Sequence, residues 1–383
     1  MLTICLSAQQ TDQLLLETKG KNILTKEWSV SNGLISNSIG KIGKTKQGFL
    51  FICTFNGISF FDGKNFQNYN STNVPALKTN IIADYCIDKD STFWIATYRG
   101  IVAFKDNDFF VPDKLQELES TNIQSIDIDK NGTLWIGSVA NGLFKYANGQ
   151  LEKVKEIVSL EKSIVSLVYS DNEGNTWIGT ESGLLYRYDG KKYTRIFHDR
   201  VENSISSAAR DKKGNYYFGT RNGLFRYEND TIVKLAYEIN FINDITVDDS
   251  DKLWLSTNSG IFIYDSNTKE LTPFCPNEEW ANQIIQTIYF DYDGNIWIGT
   301  YRKGVLQVRI GGFQNYPMNQ HGISEVPSAL IEVNDTTIWI GTDEGNIYSL
   351  THSGYKKVKL KTNLNNSRIK SIFIDSKKNT WGL

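Results

Sequence analysis

The chain has 383 residues, room for two or three ordinary domains or for one large repeat architecture. Its 41 Lys and Arg balance 43 Asp and Glu to a net charge of −2, which excludes the electrostatic footprint of a nucleic-acid binder and an acidic tail. Nine Trp, 19 Tyr and 20 Phe against only 6 Pro point to a folded, sheet-rich protein, and no apolar run reaches the roughly 18 residues of a membrane helix.

The chain opens on MLTICLSAQQ, apolar and then small, which reads as the end of a secretory signal peptide with Ala8 as the cleavage position. Residues 1–21 are therefore expected to be leader, and the protein to be exported. Ile4 is too large for a lipoprotein signal at Cys5. The other cysteines are Cys53, Cys86 and Cys275; no pair has CxxC spacing, so no zinc site is expected. Cys53 and Cys86 fall in apolar strands and read as small buried hydrophobes.

From residue 46 onward one pattern returns. KQGFLFICT (46–54), DKDSTFWIAT (88–97), DKNGTLWIGS (129–138), DNEGNTWIGT (171–180), DKKGNYYFGT (211–220), DDSDKLWLST (248–257), DYDGNIWIGT (291–300) and NDTTIWIGT (334–342) follow one another, and KKNTWGL (377–383) starts a ninth copy. The central aromatics, Phe51, Trp94, Trp135, Trp177, Tyr217, Trp254, Trp297, Trp339 and Trp381, are 37 to 43 residues apart. A period near 40 with alternating apolar residues predicts a propeller rather than a helical solenoid.

The fourth copy shows the expected unit. SIVSLVY (163–169) is a first strand, 171–175 a turn rich in Asp, Asn and Gly, and TWIGT (176–180) a second strand. After a tight turn at 181–183, LLYRYDG (184–190) and KYTRIF (192–197) give the third and fourth strands, and four antiparallel strands make a blade. The Trp is expected to pack between neighbouring sheets, the following Gly to permit close backbone approach, and the Asp and Gly to make the turn.

LTKEWSVSNGLIS (24–36) and FQNYPMNQHGIS (313–324) share an aromatic strand end (Trp28, Tyr316) followed by a polar spacer, so the second marks a new start. The reading is all-β: a seven-bladed β-propeller over 22–310, with strand 23–30 completing the seventh blade, followed by the incomplete first blades of a second propeller over 311–383.

The DxxGxxWIGTxxGLxxY repeat, and the opening NGLISNSIGKIGKTKQGFLFICTFNGISFFDG (32–63), resemble the two-component regulator propeller repeat over residues 22–383. The resemblance implies the periplasmic sensor region of a Bacteroidetes hybrid two-component system. In such proteins two seven-bladed propellers precede a β-sandwich, a membrane helix, and kinase and regulator modules. It implies an oligosaccharide ligand derived from glycan breakdown, signalling that controls carbohydrate-utilisation genes, and a homodimer in the full-length protein. The membrane would be met only through downstream segments. No cofactor is implied.

Catalytic signatures are weak. His198, His321 and His352 lie outside HExxH or triad contexts, and GxSxG, P-loop and GxGxxG patterns do not occur. SDNEGNTW (170–177) is similar to the Asp-box of sialidase propellers, itself a structural turn, with Asn172 where Asp is usual. Asp291 and Asp293 precede a turn glycine, too few ligands for Ca²⁺ and poorly placed for acid–base work. No catalytic or metal-ligating residue is expected; the alternative function is a secreted propeller lyase or glycosidase acting on polysaccharide.

Binding is expected at the turns after each WIGT, which surround the central channel in a blade. Tyr98, Arg99, Asn141, Arg221, Tyr301 and Arg302 are the candidates, with Tyr-Arg pairs flanking blade one. Aromatic faces stack on sugar rings and guanidinium forks hold anions. Arg99, Arg221, Arg302 and Lys303 outnumber Glu181 in these turns, so an acidic oligosaccharide is expected.

Overall fold

The computed structural model describes residues 23–196, 204–236, 239–276, 278–310, 318, 322–334, 336–351, 354–360, 367–375 and 380–382. Cys5, Ala8, Tyr316, His198, His321 and His352 lie outside these residues. The chain divides into two compact units, Met1–Gly311 and Gly312–Leu383.

In the first unit the described residues form seven four-stranded antiparallel sheets. Their innermost strands are Ile39–Lys44, Ile82–Ile87, Ile123–Ile128, Val165–Ser170, Ile205–Arg210, Ile242–Val247 and Ile285–Phe290, taken here as blades one to seven. Each innermost strand contacts the next, and that of blade seven contacts that of blade one, so the sheets close into a ring: a β-propeller. Blade seven is closed from a distance. Ile23–Trp28 pairs antiparallel with Val305–Ile310, from Ile23 opposite Ile310 to Trp28 opposite Val305. The strand expected at 23–30 thus ends at Trp28, because Val30–Asn32 turns into a short 3-10 segment.

The second unit carries one four-stranded sheet built from Pro327–Asn334, Thr337–Thr342, Ile347–Thr351 and Gly354–Lys357, and a strand pair, Ile372–Ile374 with Thr380–Gly382. A small core gathers Met318, Ile340, Tyr348 and Leu350.

The repeated motif builds each blade from within. In blade three, Asp129 Oδ1 accepts the N–H groups of Asn131 and Thr133 at 2.9 and 3.0 Å, and Oδ2 accepts Trp135 Nε1–H at 3.0 Å. One carboxylate therefore folds the turn and fixes the indole, a role beyond the turn-making expected of it. The same aspartate-to-indole bond occurs at Asp88–Trp94, Asp248–Trp254 and Asp291–Trp297. Trp135, Trp177 and Trp254 are at most 1% exposed, so each places its full apolar area between sheets.

The glycine two residues on acts across the blade boundary. A Cβ at Gly137 would lie 2.7 Å from Val165 Cγ1, and one at Gly299 would lie 2.7 Å from Ile39 Cγ2. Each contact is with the first residue of the next innermost strand, and Gly299 with Ile39 does this at the ring closure. Cys53, Cys86 and Cys275 are free and buried.

Candidate functional site

Every innermost strand begins beside the end of its blade's second strand, so the turns after WIGT gather where the innermost strands start. The join repeats seven times. The first turn residue donates its N–H to the carbonyl just before, or just at, the start of its own innermost strand: Phe55 to Ser38 (3.1 Å), Tyr98 to Ile81 (3.3 Å), Val139 to Asn122 (2.9 Å), Glu181 to Ile164 (3.0 Å), Arg221 to Ser204 (3.4 Å), Asn258 to Phe241 (3.3 Å) and Tyr301 to Ile284 (3.0 Å). The turns therefore rim one mouth of the channel.

Below that mouth lies a cavity of about 430 Å³, lined by residues of all seven innermost strands and by Phe55 and Tyr98. Its charged lining residues are Lys41, Asp84, Asp127 and Asp244. Lys41 Nζ meets Asp244 Oδ1 at 3.0 Å, and Asp244 Oδ2 accepts Thr287 Oγ1–H at 2.7 Å. Asp84 accepts Ser125 Oγ–H and the Ile126 N–H, both at 3.0 Å. Asp127 accepts the N–H groups of Ser170 at 2.6 Å and Ile128 at 2.8 Å.

Asp127, Asp84 and Lys41 titrate away from their usual ranges. Burial pushes Asp127 up to about 7 against the pull of its two N–H donors, with Asp84 and Asp129 adding repulsion. Burial also raises Asp84, with Lys41 opposing it. For Lys41, burial disfavours the ammonium, but Asp244 and Asp84 outweigh it and hold the lysine above its ordinary value. Burial raises the Tyr169 phenol to about 12.

The six expected binding residues do not form one cluster. Tyr98 lines the cavity. Tyr301 packs edge-on against Phe55, ring centroids 6.1 Å apart, and Arg302 lies over the Tyr301 ring at 5.4 Å. Phe55, Tyr98 and Tyr301 thus form an aromatic arc on blades one, two and seven, and Phe55, at 37% exposed, is as open as Tyr301 at 36%. Arg99 sits on blade two with Nε 3.4 Å from the Glu119 carbonyl. Asn141 is exposed on blade three, its N–H bound to Ser138 Oγ. Arg221, on blade five, is paired with Glu181 at 3.1 Å.

The ion pair of Arg221 with Glu181 leaves Arg99, Arg302 and Lys303 as the cations of the turns, whereas the cavity beneath carries three aspartates against one lysine. Sequence reading missed this polar ring because it sits in short, otherwise apolar strands. The visible signal was a charged residue at the same strand position: Lys41 in IGKIGK, Asp84 in IADYCI, Asp244 in INDITV. Phe241, just before the blade-six innermost strand, was also missed; it is 46% exposed and holds φ at +55°, a costly conformation for a bulky side chain. Among the described residues no group of His, Cys, Asp and Glu is arranged to hold a metal ion.

Ring closure, four-stranded sheets and the repeated aspartate–indole unit define the chain as a β-propeller. The family model of the two-component regulator propeller matches the chain at residues 117–140 and 279–302. A curated relative, "Histidine kinase P4" of Formosa agariphila, is 26% identical over 193 residues, 47% of this chain and 11% of the relative. The extracellular domain of a putative hybrid two component system of B. thetaiotaomicron superposes with a TM-score of 0.66 at 24% identity, covering 94% of this chain and 52% of that one. Virginiamycin B lyase of Staphylococcus aureus superposes at 0.60 with 14% identity, covering 75% of this chain and 99% of the lyase. The chain thus spans about half of the sensor domain it matches and a small part of the kinase. Among the described residues no helix is long and apolar enough to cross a membrane.

Proposed function

We propose that this chain is the non-catalytic, ligand-sensing propeller region of a periplasmic hybrid two-component sensor histidine kinase, and that its ligand is a glycan-derived oligosaccharide taken at the mouth rimmed by the seven turns. The observation that carries the reading is the arc of Phe55, Tyr98 and Tyr301 over a polar channel. Exposed aromatic faces beside buried hydrogen-bonding groups suit a sugar ring, which is apolar on its faces and polar around its edge. The named relative and the solved sensor domain support the kinase context. Binding would bias one arrangement of the full-length dimer over another, and so the transmembrane output.

A second reading is a propeller enzyme acting on polysaccharide. The lyase likeness supports it, as does Asp127, which titrates near 7 inside the cavity where a general base would be useful. Both Asp127 oxygens are, however, already engaged by backbone donors of the innermost strands. Calorimetry with oligosaccharides, run beside a product assay on the matching polysaccharides, separates the two. Saturable binding without cleavage supports the sensor; turnover, or no oligosaccharide bound at all, overturns it.

A further inference from the structure

The cavity wall has two unlike halves. At the bulge of each innermost strand one side chain belongs to a ring of seven: Gly40, Ala83, Gln124, Ser166, Ser206, Asn243 and Gln286, all lining the cavity. On blades four, five and six the ring satisfies itself. Ser166 Oγ donates to the Ile205 carbonyl at 2.8 Å, Ser206 Oγ to that of Ile242 at 2.5 Å, and Asn243 Nδ2 to that of Ile285 at 2.8 Å. Each side chain thereby caps the first carbonyl of the next blade.

On blades one and two the cap is missing. Gly40 and Ala83 have no polar side chain to give, so the corresponding carbonyls of Ile82 and Ile123 receive none; a Cβ at Gly40 would already stand 3.3 Å from the Ile82 oxygen. Gln286 and Gln124 flank this gap, and their side-chain amides make no hydrogen bond among the described residues. Phe55 and Tyr98 line the cavity beside it; one residue deeper lie Asp84 on blade two and Lys41 on blade one, the lysine already bound to Asp244 at 3.0 Å. The result is a one-sided recess with an aromatic wall, two amides without partners and a floor of acceptors.

We propose that this recess on blades one and two is a binding site for an uncharged, polyhydroxylated ring, and that it disfavours anionic sugars. The proposal rests on the sensor reading above and names its subsite and ligand class. Carbonyls and an aspartate can only accept hydrogen bonds, so the guest must donate, and sugar hydroxyls do so. A carboxylate or sulfate placed there would face the bare carbonyls and Asp84, with Asp127 on the next blade, and the one cation of the cavity wall, Lys41 on blade one, is already held by Asp244. The amides of Gln124 and Gln286 can each give and take a bond, as a vicinal diol requires. This reverses the charge preference expected from the turns alone.

The test is calorimetry on the whole chain with neutral gluco-, galacto-, manno- and xylo-oligosaccharides against size-matched oligogalacturonides and alginate oligomers. At least one neutral series is expected to bind, with its anionic counterparts at least about tenfold weaker. Gln124→Ala and Gln286→Ala should each weaken that binding by about tenfold, the factor that a net hydrogen bond near 1.4 kcal/mol supplies. Ala83→Asn, which copies blade six and caps the Ile123 carbonyl, should abolish binding while leaving the melting temperature unchanged. Preference for the anionic series, or neutral binding indifferent to all three substitutions, overturns the recess and leaves the sensor reading standing. Failure of every oligosaccharide to bind overturns both.

Discussion

Asp129 Oδ2 accepts the indole N–H of Trp135 at 3.0 Å, inside a turn that the same carboxylate folds. Blade four breaks this pattern. Asp171 is instead engaged by the hydroxyl of Tyr216 from the next blade, and Trp177 Nε1 is buried without a partner. Trp177 is held by aromatic packing, with Tyr216, Phe218 and Tyr227 centroids 4.9, 5.1 and 4.9 Å away.

The two tryptophans should therefore respond differently to the same change. Trp135→Phe removes a bond to a buried carboxylate and is expected to cost about 3 kcal/mol. Trp177→Phe loses ring area but no hydrogen bond, and about 1 kcal/mol is expected; Trp177→Ala, which empties the site, should cost about 3–5 kcal/mol. Urea midpoints measure all three. Equal losses for the two Phe variants would show that the Asp129 bond adds nothing.

The seam of the ring offers a second prediction. Trp28 is 6% exposed and packs on Phe61 and Phe66 at centroid distances of 4.6 and 5.7 Å, tying the strand Ile23–Trp28 to blade one as well as to blade seven. Trp28→Ala should destabilise the propeller by about 3–4 kcal/mol, and removing residues 23–28 should expose Val305–Ile310 as an open edge. Faster hydrogen exchange is then expected in 305–310 first. Unchanged exchange there would mean that the seam is not what protects the blade.

Much of this architecture was legible because the motif repeats. A period of 37 to 43 residues with alternating apolar positions leaves few folds, and the non-local pairing of 23–30 followed from two similar starts in the sequence. The seam is seen as Ile23–Trp28 against Val305–Ile310, whereas 313–317, on which the argument for a second start leaned, lies outside the described residues. The site was less legible. Tyr98 and Tyr301 stand out because a Tyr-Arg pair recurs, but Arg221 looks like a free cation until Glu181, one blade away and 40 residues earlier, is seen beside it. Lys41 and Asp244 are 203 residues apart and meet only when the ring closes. Pairing of that kind leaves no local trace in a chain.

Asp127 carries a pH prediction. Its carboxyl titrates near 7 in the folded protein because burial disfavours the ion, against an ordinary value of 3.8. The folded state thus holds a proton that the unfolded chain releases. The stability this confers is complete below about 4 and is lost as pH rises through about 7. Relative to Asp127→Asn, the wild-type protein should lose stability between pH 5 and pH 8, read from urea midpoints at each pH. A difference that stays constant over that interval would mean that Asp127 titrates like an exposed carboxylate.

The Lys41–Asp244 pair lends itself to a double-mutant cycle, and the two halves should be unequal. Among the described residues Asp244 has Lys41 as its one close cation, with the Thr287 hydroxyl as its other partner. Lys41→Met therefore leaves a buried carboxylate that one hydroxyl cannot compensate, and about 3 kcal/mol of stability should be lost. It also removes the cation that opposes the burial of Asp84, so that carboxyl should rise further and the variant's deficit should grow as pH rises. Asp244→Asn strands less, because Lys41 keeps Asp84 as a neighbouring charge and an amide oxygen can still accept from the ammonium; about 1–2 kcal/mol is expected. The double variant should regain about 2 kcal/mol over the sum of the singles, since no unpaired ion then remains at that position. Strict additivity would show that water screens the two groups across the channel and that the pair does not hold blades one and six together.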